Sequence, residues 1–277
     1  MKKRKKKPLF YIFLIIFCGV FVYTSYIIVN NYIIGAKTYN NIKKRAKISI
    51  VTNDIKKPII KEKTKEKTKE KENQYQEIVS IDIDWKLFEN YPVCGWIQIN
   101  DEKSIDYPII QSKDNEYYLH HLYDGTYNPS GSIFVDYRND GFDNRHVIIY
   151  GHNMKDGTMF KSIKQYQNQE YANKHRYIYI ATPNGKTRVF YVYSCHLTDA
   201  LGDSDGFSAY QVSFDGEEWN DWINKSVKRS LITSDIEIPE KGNIITLSTC
   251  MSRGIKTERC VIHAIEISNQ KLVEINE

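Results

Sequence analysis

The sequence predicts a mainly β domain, a barrel or a sandwich of about eight short strands, carried behind an N-terminal membrane helix. Three observations predict it. Apolar, β-rich runs separated by turn residues recur at 94–99, 105–110, 131–135, 147–150, 177–181, 188–194, 243–249 and 259–267. No charged residue occurs from Pro8 to Ala36. The charge is also divided: residues 1–74 hold 19 Lys/Arg against 5 Asp/Glu, whereas residues 75–277 hold 20 against 29.

The chain opens with six consecutive basic residues, Lys2 to Lys7. They form a cytoplasmic segment, 1–8, because positive residues stay on the cytoplasmic side. Residues 9–29 then supply 21 mostly apolar residues, about the ~20 that a helix needs to span a bilayer. A cleaved signal peptide is the competing reading. Its apolar core would run to only ~7–15 residues and end in a small-x-small site, which Val22-Tyr-Thr-Ser-Tyr26 does not offer. The expectation is a single-pass anchor with the rest of the chain outside the cell.

Residues 30–75 read as a linker. Within them, 61–72 alternates Lys with Glu and Thr in a period of four. Such a run has no apolar face to bury. The folded domain is expected over 76–277. It starts with an amphipathic segment, 83–91, ending at Pro92 and expected to be helical. Two further helical patches interrupt the strands. One lies around 158–171. The other is 217–230, where Trp219, Trp222, Ile223 and Val227 recur at helical spacing. The net acidity of this domain excludes the basic face of a nucleic-acid binder.

Of the five cysteines, Cys18 lies in the expected span, and Cys94, Cys195, Cys250 and Cys260 lie beyond it. Their wide spacing in a chain of this size does not suggest a disulfide framework; Cys94, Cys195 and Cys260 are expected to be buried thiols.

Cys250 ends the apolar strand Ile244-Ile-Thr-Leu-Ser-Thr-Cys250, where a side chain can leave the barrel wall. A thiol nucleophile needs a group that balances the thiolate and donors for the developing oxyanion. Arg259 begins the next strand nine residues on. If the two strands pair as a hairpin, Arg259 neighbours Cys250 and offers five permanent donors. His152 follows the apolar strand ending in Tyr150-Gly151, and an imidazole can take the thiol proton or return one to a leaving amine. Each of the three also has an ordinary structural reading: a buried thiol, a turn histidine, a surface arginine. Rivals have poorer geometry. Cys195 and His196 are adjacent, as are Arg259 and Cys260, so each pair points to opposite faces of its strand. His120 and His121 share that difficulty as a metal pair and lack a third ligand of obvious spacing.

At these residues the sequence resembles the sortase family, and class B sortases in particular. The resemblance rests on Thr246-Leu-Ser-Thr-Cys250, His152 and Arg259. It extends through Gly95-Trp-Ile-Gln-Ile99, Ile105-Asp-Tyr-Pro-Ile109, Asp114-Asn-Glu-Tyr-Tyr-Leu119, Gly131-Ser-Ile-Phe-Val-Asp136 and Tyr150-Gly-His-Asn-Met154. It implies a closed sortase-type β-barrel of about eight strands, with an N-terminal helix and a helix before the penultimate strand. It implies Cys250, His152 and Arg259 as catalytic residues and Asn115, Leu119, Tyr150, Ser248 and Thr249 as substrate-binding residues. The sequence departs from the family at Met251, where an acidic residue is common.

The implied activity is cysteine transpeptidation. The enzyme would cut the C-terminal sorting signal of secreted proteins after a Thr, hold a thioacyl intermediate, and transfer it to a peptidoglycan-precursor amine. No metal or organic cofactor is required. A membrane-tethered cysteine peptidase and a non-catalytic wall-binding barrel are the alternatives.

Overall fold

The computed structural model describes residues 8–45, 80–100, 102–200, 203, 205–239, 242–251 and 257–267. The basic residues ahead of the first helix, the Lys/Glu repeat and most of the expected linker lie outside the described residues.

Eight strands close into one barrel: β1 (Val93–Ile99), β2 (Glu102–Gln111), β3 (Ile133–Val135), β4 (His146–Tyr150), β5 (Tyr177–Ala181), β6 (Thr187–Asp199), β7 (Ile244–Cys250) and β8 (Glu258–Ile267). Their order around the barrel is β1-β2-β3-β4-β7-β8-β6-β5, and β1 pairs with β5 to close it. Only β2·β3 and β4·β7 are parallel pairs. Every run expected as a strand is one. Closure decides between barrel and sandwich, and it leaves no unpaired edge along the sheet.

Several of these strands read as almost unbroken apolar runs because both of their faces are covered. On β8, Cys260, Ile262 and Ala264 point into the barrel, while Val261, Ile265 and Ile267 pack into a second cluster outside it. That outer cluster is roofed by α3 (Glu218–Lys228), the helix ahead of the penultimate strand. Trp219, Trp222 and Ile223 are buried as expected. Val227 is not: it is exposed, and Ser226 faces the barrel instead. Ser226 fits there because it is satisfied, its Oγ lying 3.0 Å from the Tyr193 hydroxyl and its carbonyl accepting from Ser194 Oγ at 2.7 Å.

The other helical expectations are met in part. The patch around 158–171 is a 3-10 stretch, Lys161–Gln167, followed by a short helix α2 (Gln169–Lys174) capped by the Asn168 side chain. The segment 83–91 holds only one 3-10 turn, Trp85–Phe88. Ile83 and Phe88 are nonetheless buried against Trp96 and Tyr118, so its amphipathic pattern serves packing without a regular helix.

The N-terminal helix α1 runs from Pro8 to Arg45, 38 residues, or about 57 Å at the helical rise. The apolar side chains from Phe10 to Val29 stand exposed all round, and the helix is long and apolar enough to cross a membrane. It does not stop where the linker was expected to begin. Past Asn30 its character changes to a one-sided stripe, and Gly35, Tyr39 and Ile42 are buried against the barrel.

Candidate active site

The site is built where three strands end together. Because β4 and β7 are parallel, their C-terminal ends lie at the same rim of the barrel, with Tyr150 beside Ser248. Because β8 runs antiparallel to β7, its first residues return to that rim, and Cys250 pairs in register with Arg259. Side chains of directly opposed residues project to the same face. Cys260, one residue on, is fully buried in the barrel interior, as strand alternation requires. Cys195 also points into the barrel, while its neighbour His196 packs against Phe207 in the outer cluster.

The turn after β4 brings His152 to the rim. Gly151 N–H donates to the Ser248 carbonyl at 3.1 Å, and Thr249 Oγ1 donates to the Gly151 carbonyl at 2.8 Å. A Cβ on Gly151 would stand 2.6 Å from the Phe160 ring and from Ile133 Cδ1, so only glycine lets the chain turn there. His152 Nε2 lies 2.7 Å from the Leu119 carbonyl. A carbonyl only accepts, so Nε2 carries the proton. The Asn153 side chain holds the Cys250 carbonyl at 2.7 Å, and Lys164 Nζ donates to the Met251 carbonyl at 3.0 Å. Cys250 and His152 are half-buried. The Arg259 guanidinium donates to the carbonyls of Thr257 (3.0 Å) and Glu258 (3.3 Å) at the start of its own strand.

These residues open into one groove of about 700 Å³. All eight residues singled out in the sequence line it: Cys250, His152, Arg259, Asn115, Leu119, Tyr150, Ser248 and Thr249. Asn115 and Leu119 come from the turn after β2, Tyr150 from β4, and Ser248 and Thr249 from β7.

Sequence reasoning missed three groove residues, Asp136, Arg138 and Tyr210. Asp136 is fully buried just past β3. Its carboxylate accepts from Arg138 Nε and Nη2 (both 2.8 Å), from the Tyr150 hydroxyl (2.8 Å) and from Asn115 Nδ2 (3.1 Å). Burial by itself would raise its pKa, but the bonds from Arg138 and Tyr150 outweigh burial and hold it below the usual carboxylate range. Tyr150 is pushed far up by burial and by that carboxylate, so it stays a neutral donor. Tyr210 stacks on Tyr150 with ring centroids 6.0 Å apart, and its hydroxyl lies 3.0 Å from Ser248 Oγ. Burial pushes its pKa up to about 12. Asp-x-Arg directly after an apolar strand was the available signal for the first two. Tyr210 sits in an irregular stretch without periodicity, and nothing local marks it.

All five cysteines are free thiols. Cys195 and Cys260 are buried as expected, their sulfurs 3.9 Å apart. Cys94 is only partly covered.

The sortase domain model matches residues 97–267 of the chain. Sortase B of Listeria monocytogenes is 39% identical over 165 residues, 58% of this chain and 63% of that protein. The match thus spans just under two thirds of the Listeria relative. Sortase B of Staphylococcus aureus is 30% identical over 179 residues, 64% of this chain and 71% of that protein. The structure of the S. aureus sortase B–substrate complex superimposes with a TM-score of 0.58 at 29% identity, covering 64% of this chain and 80% of that one. Sortase B from B. anthracis in complex with AAEK1 superimposes with a TM-score of 0.65 at 28% identity, covering 87% of this chain and 100% of that one.

Proposed function

The chain belongs to the sortase family, and we propose that it is a class B sortase-like cysteine transpeptidase that joins secreted proteins to the cell wall. The observation that carries the reading is convergence. The three residues chosen for their chemistry and the five implied by the resemblance, from four separate stretches of sequence, line one groove, with Cys250 opposite Arg259 in the strand register.

A sorting-signal peptide lies along the groove between Asn115, Leu119 and Tyr150. The Cys250 thiolate attacks the carbonyl carbon of a Thr in the signal. The oxygen becomes an oxyanion, which the Arg259 guanidinium stabilises by turning an N–H towards it. The C–N bond breaks as imidazolium His152 gives its proton to the leaving amine, and a thioester to Cys250 remains. His152 then takes a proton from an incoming amine of a peptidoglycan precursor. That nitrogen attacks the thioester, an amide forms, and Cys250 departs as thiolate. Since Nε2–H is held by the Leu119 carbonyl, Nδ1 is the nitrogen that moves the proton.

The chemistry takes place outside the cell, with α1 as a single-pass anchor. Support for an uncleaved anchor comes from the continuity of α1, whose apolar part runs without a break into a part packed on the barrel.

The test uses the full chain in detergent with quenched fluorescent peptides bearing different sorting motifs, beside Cys250→Ala, with and without a small amine. Cysteine-dependent cleavage that yields an amide in the presence of amine is the expected result, and it also identifies the motif. Acid as the sole product would make the protein a peptidase. No cleavage together with an unreactive Cys250 would make it a binding module.

A further inference from the structure

Residues 31–43 of α1 were expected to open a linker, yet they carry a stripe, Tyr32, Gly35, Tyr39 and Ile42, at the spacing of one helix face. Tyr39 and Ile42 are buried. The stripe rests on 128–132, and its contacts there are specific. Asn128 Nδ2 donates to the Asn31 carbonyl at 2.7 Å. Two turns further along the helix, the Tyr39 hydroxyl donates to the Gly131 carbonyl at 2.9 Å and lies 3.0 Å from Ser132 Oγ.

The segment clasped in this way backs the turn that holds His152. Asn128 N–H donates to the His120 carbonyl at 2.8 Å, Ser132 N–H to the Tyr118 carbonyl at 2.9 Å, and Ser132 Oγ to the His121 carbonyl at 2.9 Å. Gly131 has φ +57°, and a Cβ there would stand 2.6 Å from the carbonyl oxygens of Tyr118 and Leu119, so no slack remains between the two segments. The Leu119 carbonyl is the acceptor of His152 Nε2–H. A second route runs through Tyr107. Its ring meets Tyr39 edge-on at 5.2 Å and lies under Lys43 Nζ at 4.2 Å. Its hydroxyl accepts from Met159 N–H at 3.3 Å, in the loop that follows His152.

We propose that the outer end of α1 is a positioning element of the catalytic site, with Tyr39 holding 128–132 against the turn whose Leu119 carbonyl orients His152. The membrane helix and the catalytic machinery are then one packed body, and a barrel cut free of residues 31–43 has a less well-held histidine. The proposal rests on the transpeptidase reading only where turnover is measured.

The experiment uses the full chain reconstituted in lipid vesicles. Tyr39→Phe removes the hydroxyl and keeps the packed ring. Lys37→Ala, on the exposed side of the same helix, is the control. Three quantities are followed across pH: the rate of Cys250 alkylation by iodoacetamide, and kcat and KM for the cleaved peptide, with the alkylation amplitude and kcat scaled to the titratable fraction of Cys250. Tyr39→Phe should lower kcat roughly fivefold, the worth of one hydrogen bond, and displace the pH midpoint of alkylation, while Lys37→Ala matches the parent. An unchanged midpoint and kcat in Tyr39→Phe, or a loss matched wholly by loss of titratable thiol, overturns the proposal. A parent that cleaves no peptide would count against the transpeptidase reading and not against this proposal, because the alkylation profile needs no substrate and still reports on His152.

Discussion

Cys250 and Arg259 are register partners at the open ends of β7 and β8, and the Arg259 guanidinium rests on the carbonyls of Thr257 and Glu258. The strand pairing fixes where the arginine starts, and the two carbonyls before it hold the charged end; in the proposed mechanism that end turns to the oxyanion. A planar guanidinium can keep one such bond while turning another N–H towards the oxyanion. A lysine ammonium lacks that fork. Arg259→Lys should therefore lower kcat by about a hundredfold or more, as for loss of an oxyanion donor, while Cys250 still alkylates. Steady-state kinetics with thiol titration checks this, and near-parent kcat would remove Arg259 from the oxyanion role.

Asp136 gathers Arg138, Tyr150 and Asn115 around one buried carboxylate. Asn115 is thereby oriented, with its Oδ1 accepting from Tyr137 N–H at 3.0 Å and its Nδ2 bound to Asp136. Asp136→Asn places amide hydrogens against the Arg138 guanidinium and should cost about tenfold in kcat/KM, near 1.4 kcal/mol. If Asp136 acts by holding those side chains, the same change made in an Asn115→Ala/Tyr150→Phe background adds little. Full additivity in that cycle would show that it acts elsewhere.

Gly151 has no room for a methyl group between Phe160 and Ile133. Gly151→Ala should destabilise the fold by roughly 1–3 kcal/mol, the usual cost of overpacking. It should also depress activity further than the stability loss explains, because His152 is the next residue. Urea unfolding paired with peptide turnover measures both, and an unchanged midpoint would contradict the packing described.

His146, His196 and His263 are buried, His146 and His263 against Trp222 of α3 and His196 beside His263. His146 lies 2.6 Å from Thr246 Oγ1, which lies 2.7 Å from His263 Nδ1. Burial lowers His146 and His196 to about 4 and His263 well below its ordinary value. All three are neutral when folded, whereas an unfolded histidine takes its proton near ~6.5. Between about pH 4 and 6.5 the unfolded chain binds more protons, so stability is full above that window and falls as pH drops through it, on the order of 3 kcal/mol for each of His146 and His196, with His263 acting in the same direction. Thermal unfolding should give a steady Tm from about pH 8 to 6.5 and a falling one below, before most carboxylates titrate. A Tm that stays flat down to about pH 5 would refute this.

The eight strands were legible in the sequence because a strand buried on one or both faces writes its burial into local composition, as Ile244 to Leu247 do. Cys250, His152 and Arg259 were legible as candidates for a related reason, and the sortase resemblance singled them out from other such triplets. Each sits directly beyond such a run or at its start, and the hairpin register of β7 and β8 follows from their short separation in the chain. Val227 shows the limit of periodicity: it recurs at helical spacing with Trp219, Trp222 and Ile223, yet the hydrogen bonds waiting at Tyr193 and Ser194 turn Ser226 inward instead.

The amino-acid sequence thus determined the strands, the long apolar segment and the candidate residues Cys250, His152 and Arg259, since each depends on neighbours a few positions away. The closed barrel was implied by the sortase resemblance and not by the strand pattern, and the tertiary structure alone decided the gathering of Asn115, Arg138 and Tyr150 on Asp136, and the seating of Tyr39 on Gly131, 92 residues distant. A periodic pattern says that a helix face is covered and leaves open what covers it. The partner is chosen by packing and by hydrogen bonds between segments far apart in the chain, and these exist only once the fold has formed.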